Sequence, residues 1–302
     1  MKISGFTFVR NAIKYDYPVV EAVSSVLPLC DEFIVAVGNS EDGTRELVQS
    51  IGDSRIKIID TIWDDSLREG GRVLALETDK AFDAVSPESI WAFYIQADEV
   101  LHERYIEPVR KAMQTFSNVP LVEGLLFDYR HFYGSYDFTG DSRAWYRNEI
   151  RVIRNNKSIR SYLDAQGFRK NGRKLTVAPA NAVIYHYGWV KPPASQQAKQ
   201  EHFHRYWHND QWLEKEVPRK VDFDYTGIDS LAPFTGTHPF VMQERIVRKN
   251  WKFEHDPAKK KLSLLNSILR FIERLTGWRP GEYKNYTIYR TNPSCIFLFV
   301  TS

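Results

Sequence analysis

Trp91-Ala92-Phe93-Tyr94-Ile95-Gln96-Ala97-Asp98-Glu99-Val100 sets the architecture of this 302-residue chain. Five successive apolar residues predict a strand buried on both faces, and two carboxylates follow at its carboxyl end. Upstream, Phe33-Ile34-Val35-Ala36-Val37 has the same continuous apolar character, and Phe6-Thr7-Phe8-Val9 and Ile56-Lys57-Ile58-Ile59 read as further strands. Helical spacing separates them. Val19, Val20, Val23, Val26 and Leu27 form one stripe, with Asp16 as the expected N-cap and Pro18 in the first turn. Leu47, Val48 and Ile51 mark a short helix. Leu74, Thr78, Ala81, Phe82 and Val85 mark another, ended by Pro87, and Ile106, Val109, Met113 and Phe116 follow the acidic cluster.

Four β-α units predict an α/β protein, a mostly parallel sheet with helices on both faces and a ligand edge at the carboxyl ends of its strands. Beyond about residue 121 the pattern changes. Val122–Tyr129, Glu149–Arg154 and Ala182–Tyr187 read as strands joined by aromatic-rich segments, which predicts a mixed-sheet acceptor side. Ser195–Trp207 reads as a helix, 209–260 as irregular, and Leu264, Leu265, Ile268, Leu269, Ile272 and Leu275 as an amphipathic helix. The expected division is a domain over 1–208, with a nucleotide-binding half to about 120 and an acceptor side over 121–208, then a C-terminal helical extension over 209–302.

Composition narrows the function. The formal charge is +3, with 26% charged and 43% hydrophobic residues, which excludes disorder and makes nucleic acid an unexpected partner. Two cysteines, Cys30 and Cys295, make neither a disulfide framework nor a zinc pattern. No stretch approaches the ~20 apolar residues that span a bilayer, so a cytoplasmic protein is expected. The first strand is followed by Val9-Arg10-Asn11-Ala12, without the glycines that a dinucleotide fingerprint or P-loop needs. The acidic cluster at Asp98 and Glu99 suits a hard cation gripping a diphosphate; the same residues suit a polar turn leading into the helix from about Glu103.

The order of Arg10-Asn11 after the first strand, Asp42-Gly43-Thr44 after the second and Ala97-Asp98-Glu99 after the fourth resembles the family 2 glycosyltransferases of GT-A fold, over roughly residues 1–190. That resemblance implies a Mn²⁺ or Mg²⁺ cofactor held by Asp98 and by His186, in Tyr185-His186-Tyr187-Gly188-Trp189. It implies nucleotide contacts from Val9, Arg10, Asn11, Asp42, Arg72, Gln96 and Ala97. Gln96 stands where the family carries the first acid of its Asp-X-Asp motif. Related cell-envelope transferases place an acid after an arginine-rich strand, here Glu149-Ile150-Arg151-Val152-Ile153-Arg154, which points to Asp164 as the general base, with Asp137 and Glu149 as competitors.

The implied activity is metal-assisted, inverting transfer of a sugar from a nucleotide-diphosphate sugar to a hydroxyl of a polysaccharide or lipid-linked acceptor. The alternatives are a sugar-1-phosphate nucleotidyltransferase and a non-catalytic carbohydrate-binding protein. The C-terminal amphipathic helix is expected to pack on the main domain or across a homodimer. Peripheral contact with the inner face of a membrane is the alternative, suggested by Lys259, Lys260, Lys261, Arg270, Arg274 and Arg279.

Overall fold

The computed structural model describes residues 1–216 and 220–290; Cys295 lies outside them. The first half alternates β1 (Ile3–Val9), α1 (Val19–Val26), β2 (Glu32–Gly38), α2 (Thr44–Gln49), β3 (Ile56–Thr61), α3 (Arg72–Asp83), β4 (Trp91–Tyr94), β5 (Glu99–Leu101) and α4 (Ile106–Phe116). Then come β6 (Gly124–Tyr133), β7 (Ser135–Gly140), β8 (Asn148–Arg154), β9 (Ile159–Tyr162), β10 (Gly167–Lys170) and the long β11 (Arg173–Trp189). The remainder holds α5 (Pro193–Phe203), α6 (Asp210–Glu216), β12 (Leu231–Pro233), α7 (Gln243–Val247), α8 (Leu264–Thr276) and β13 (Tyr286–Ile288).

Among the described residues the strands form one connected sheet whose main path runs β3-β2-β1-β4-β8-β6-β11-β10-β9. The β3-β2-β1-β4 half is parallel, and β8 lies antiparallel between β4 and β6. The apolar strands alternate between two cores, as period-2 geometry requires. Phe33, Val35 and Val37 pack with Val19, Val23 and Val26 of α1 and Val109 and Met113 of α4. Ile34 and Ala36 pack on the other face with Phe82 and Leu74 of α3 and with Phe168 of β10. Trp91 is fully buried and its indole N–H donates to the Met113 carbonyl at 3.0 Å. Arg154 stacks on that indole at 4.1 Å and donates to the Phe116, Ser117, Val119 and Val122 carbonyls. It thereby satisfies carbonyls that the end of α4 leaves without helical partners.

Two local expectations fail for identifiable reasons. Asp16 does not cap α1: the N-cap position is Pro18, and the Asp16 carboxylate instead accepts from Arg245 at 2.6 Å. The stretch read as irregular carries α6, β12 and α7, and β12 pairs with β7 while β13 pairs with β11.

Candidate active site

Three strand ends converge on one cavity of about 420 Å³, walled by β1, β4 and β11 and covered by α5. The decisive pairing is antiparallel β5 on β11, which sets Glu99 opposite His186, so that Asp98 sits at the His186 ring. Three residues would be too short to form a strand alone, and this pairing supplies it.

Asp98 is nearly buried, 8% exposed. Its Oδ2 accepts from the Lys199 ammonium at 3.1 Å, and its Oδ1 lies 3.7 Å from His186 Nε2. Burial alone would raise its proton affinity, but Lys199, His186 and Lys191 outweigh that and hold the carboxyl well below the ordinary range. Burial pushes the His186 imidazole down, towards the neutral form, against the opposing pull of Asp98 and Glu99.

The hydrogen-bond network fixes its tautomer. His131 Nε2 lies 2.9 Å from the Tyr146 carbonyl, which can only accept, so that nitrogen carries the proton. Burial lowers His131 to about 3, so the ring is neutral and its Nδ1 is a lone pair. His186 Nδ1 therefore donates to it across 3.1 Å. His186 Nε2 is left as a bare lone pair facing a carboxylate, with no proton to share. Two acceptors facing each other this way suit a cation. The space between them exists because residue 188 is glycine: a Cβ there would lie 2.7 Å from both Asp98 Oδ2 and His186 Nε2. Among the described residues no cluster of three or more His, Cys, Asp or Glu side chains could hold a metal, so this pair could offer a cation two protein ligands at most.

Glu99 serves from behind. Fully buried, it takes a bidentate ion pair from Arg151 with both contacts at 2.7 Å, the Tyr129 hydroxyl at 2.8 Å and the Gln96 amide at 3.1 Å. Arg151 also donates to the Gln166 carbonyl at 3.0 Å, tying the Asp98 turn to the loop that carries Asp164.

That loop is strained, with Leu163 at φ 52° and Ala165 at φ 63° on either side of Asp164. Gly71, at φ 69°, lies under it, where a Cβ would be 2.8 Å from Asp164 Cβ. Burial raises the proton affinity of Asp164, and its nearest polar partner is the Gln166 amide at 3.4 Å. Asp164, Gln166 and Tyr146 line the main cavity and also a second one of about 450 Å³, walled by Arg143–Glu149 and Arg279–Tyr286.

Val9, Arg10, Gln96, Ala97, Asp98, Asp164 and His186 all line the main cavity. Arg10 is held by Asp65 at 2.6 Å and by the Asn39 carbonyl at 3.2 Å, with its guanidinium over Trp63. Asn11 lines an adjoining pocket, where its Oδ1 accepts from the Glu41 amide at 2.8 Å. Three residues are not brought to the main cavity, Asn11 among them. Asp42 spends its carboxylate on the start of α2 and on the Lys14 amide at 2.8 Å. Arg72 is exposed in the first turn of α3.

Sequence reasoning passed over Lys199, Gly188 and His131, and also Trp63, Tyr206 and His202, which line the cavity. Lys199 sat in a stretch read as helical and rich in aromatics; only the fold of α5 over β11 shows that it reaches Asp98.

Four strands in the order β3-β2-β1-β4, an antiparallel β8 beside them and an acidic turn after β4 define a GT-A-like, Rossmann-related α/β fold. No protein-family model and no curated protein matches the chain. Among solved structures it is similar to glucosyl-3-phosphoglycerate synthase from Mycobacterium tuberculosis in complex with Mn²⁺, UDP and phosphoglyceric acid. That match has 18% identity over 44% of this chain and 43% of the synthase, with a TM-score of 0.29. It is also similar to TarS of S. aureus in complex with UDP, at 12% identity over 67% of this chain and 64% of that one, with a TM-score of 0.38. A third likeness is to 4-diphosphocytidyl-2C-methyl-D-erythritol synthase from Anaerococcus prevotii, at 11% identity over 51% of this chain and 70% of that one, with a TM-score of 0.29. The chain spans less than half the length of the Mycobacterium synthase.

Proposed function

We propose that the protein is a glycosyltransferase that takes a nucleotide-diphosphate sugar as donor and a hydroxyl of a polysaccharide or lipid-linked glycan as acceptor, with inversion at the anomeric carbon. The observation that carries this reading is the meeting of Asp98, the bare His186 Nε2 and Asp164 on one cavity. Asp98 and His186 would hold Mn²⁺ or Mg²⁺, whose chemistry is to neutralise the charge of a leaving diphosphate. Lys199 adds an ammonium beside the same carboxylate, and Arg10 contributes a guanidinium at the cavity wall. The aromatic rings of Tyr15, Tyr17, Trp63 and Tyr206 give stacking surfaces for a base or sugar.

The second cavity suits the acceptor, because Asp164 stands in the wall common to both. Its three arginines, Arg143, Arg147 and Arg279, share the two carboxylates of Glu273 and Glu282. Arg147 is paired with Glu282 at 2.7 Å and Arg143 with Glu273 at 3.3 Å, so most of their donors are engaged within the wall. Tyr146, Tyr162, Tyr283 and Tyr286 provide faces for sugar rings. Asp164 would take the proton from the acceptor hydroxyl as it attacks. The competitors fit less well. Glu149 is pushed up to about 8 by burial and is protonated at neutral pH, and Asp137 lines neither cavity.

Incubation of the purified protein with a panel of nucleotide-diphosphate sugars and glycan acceptors, with and without EDTA, tests the reading. Metal-dependent release of nucleoside diphosphate is expected, with an inverted anomeric proton by NMR. Pyrophosphate formation from a sugar phosphate and a nucleoside triphosphate would assign a nucleotidyltransferase instead.

A further inference from the structure

α8 is turned the opposite way from an ordinary amphipathic surface helix. Its polar side faces the protein: Arg270 donates to Ser230 Oγ at 3.0 Å and pairs with Asp141, while Glu273 pairs with Arg143, Arg147 and Arg279 at 3.3, 3.4 and 3.6 Å. Ser263 caps its start and Gly277, at φ 69°, its end. The apolar side faces solvent. Leu264, Leu265, Ile268, Phe271 and Leu275 are between 50% and 80% exposed, and Trp278 just past the helix is 65% exposed. This is the reverse of the packing that the pattern alone predicts. The cause lies in the Asp141 and Glu273 ion pairs, which fix the rotation of the helix. Exposed apolar residues grouped on one face mark an interaction surface.

We infer that this face docks on an anionic phospholipid surface. Charge complementarity is the argument. Of the six cations in segment 259–279, Arg270 and Arg279 are buried in ion pairs with Asp141, Glu273 and Glu282, which leaves Lys259, Lys260, Lys261 and Arg274 exposed. The three lysines lie just before the helix and Arg274 in its last turn, with Lys260 and Arg274 at 3.9 and 4.0 Å from Asp141. A second copy of the chain placed on the same face would bring these cations against their own equivalents. Trp278 and Tyr283, both exposed, suit the headgroup layer. Among the described residues no helix is long and apolar enough to cross a membrane, so the helix lies in the plane of the surface. The chain runs from Gly277 directly into Arg279–Tyr286, the wall of the second cavity, so docking would set that cavity beside the lipid surface. Docking does not depend on the transferase reading.

Co-sedimentation of the full chain with phosphatidylcholine vesicles, with and without phosphatidylglycerol, is the test. Salt-sensitive binding to the anionic vesicles alone is expected. The Lys259→Glu/Lys260→Glu variant should weaken it by about tenfold or more, and the Ile268→Ser/Phe271→Ser variant should abolish it. Near-UV circular dichroism checks that each variant is folded; if the serine variant is not, the charge variant decides. Absence of vesicle binding, or equal binding to neutral and anionic vesicles, would overturn the inference. A dimer in solution that the serine variant dissolves, with no lipid binding, would assign the face to a second copy.

Discussion

Asp164 and Glu149 are both carboxyls that burial makes harder to ionise, yet they should behave differently. Asp164 reaches both cavities and must be ionised to accept a proton, so activity should rise with pH along a limb lying above the ordinary carboxylate range. Asp164→Asn should lower kcat by roughly 10²–10⁴-fold while nucleotide affinity stays unchanged; a near-normal kcat moves the role elsewhere. Glu149 is protonated at neutral pH, with its Oε2 lacking a hydrogen-bond partner. Its folded pKa of about 8 lies above the unfolded value, so the folded state holds the proton longer. Stability from this group is full below about pH 4 and falls as pH rises towards and through 8. Glu149→Gln, which keeps the shape of the protonated acid, should flatten that fall, a difference of roughly 3–4 kcal/mol between pH 5 and 8 by denaturant titration. A variant whose pH profile tracks wild type would remove Glu149 as the source.

At the scale of elements, the β5–β11 pairing and the turn at Gly188 build the space between Asp98 and His186. Gly188→Ala places a methyl group 2.7 Å from both, which should abolish metal-dependent nucleotide binding while the melting temperature changes little. Retained metal-dependent binding would show that no cation sits there. This level also divides what the sequence reveals from what it hides. Continuous apolar runs such as Phe33–Val37 and Trp91–Ile95 announce buried strands, because five residues bounded by polar turns are too few for a helix buried on all sides. The turn after β4 and the late histidine were legible through family resemblance. β5 was not, because three residues carry no periodicity and its partner lies over 80 residues downstream. β7, β9 and β10 were hidden for a related reason, being short strands held by pairing more than by pattern. Periodicity identified α8 as amphipathic but could not give its rotation, which depends on Asp141 and Glu273 finding their arginines.

For the whole molecule, the two halves of the sheet divide the work. The parallel half carries Arg10, Asn11 and the turn to Asp98, and the mixed half supplies His186 from β11 and Asp164 from the β9–β10 loop, so the main cavity lies where they meet. Lys199 crosses from α5 to close that junction, holding Asp98 and the Gly188 carbonyl together at 3.1 Å each. In the proposed function Asp98 and His186 together hold a divalent cation that binds a nucleoside diphosphate. The most direct test is calorimetric titration of a panel of nucleoside diphosphates into the wild-type protein and Asp98→Asn, in Mn²⁺ and in EDTA. Saturable binding of at least one nucleotide is expected in Mn²⁺, lost in EDTA and weakened by about tenfold or more in Asp98→Asn. Binding of equal strength in EDTA and in the variant, or no binding of any nucleotide, would contradict it.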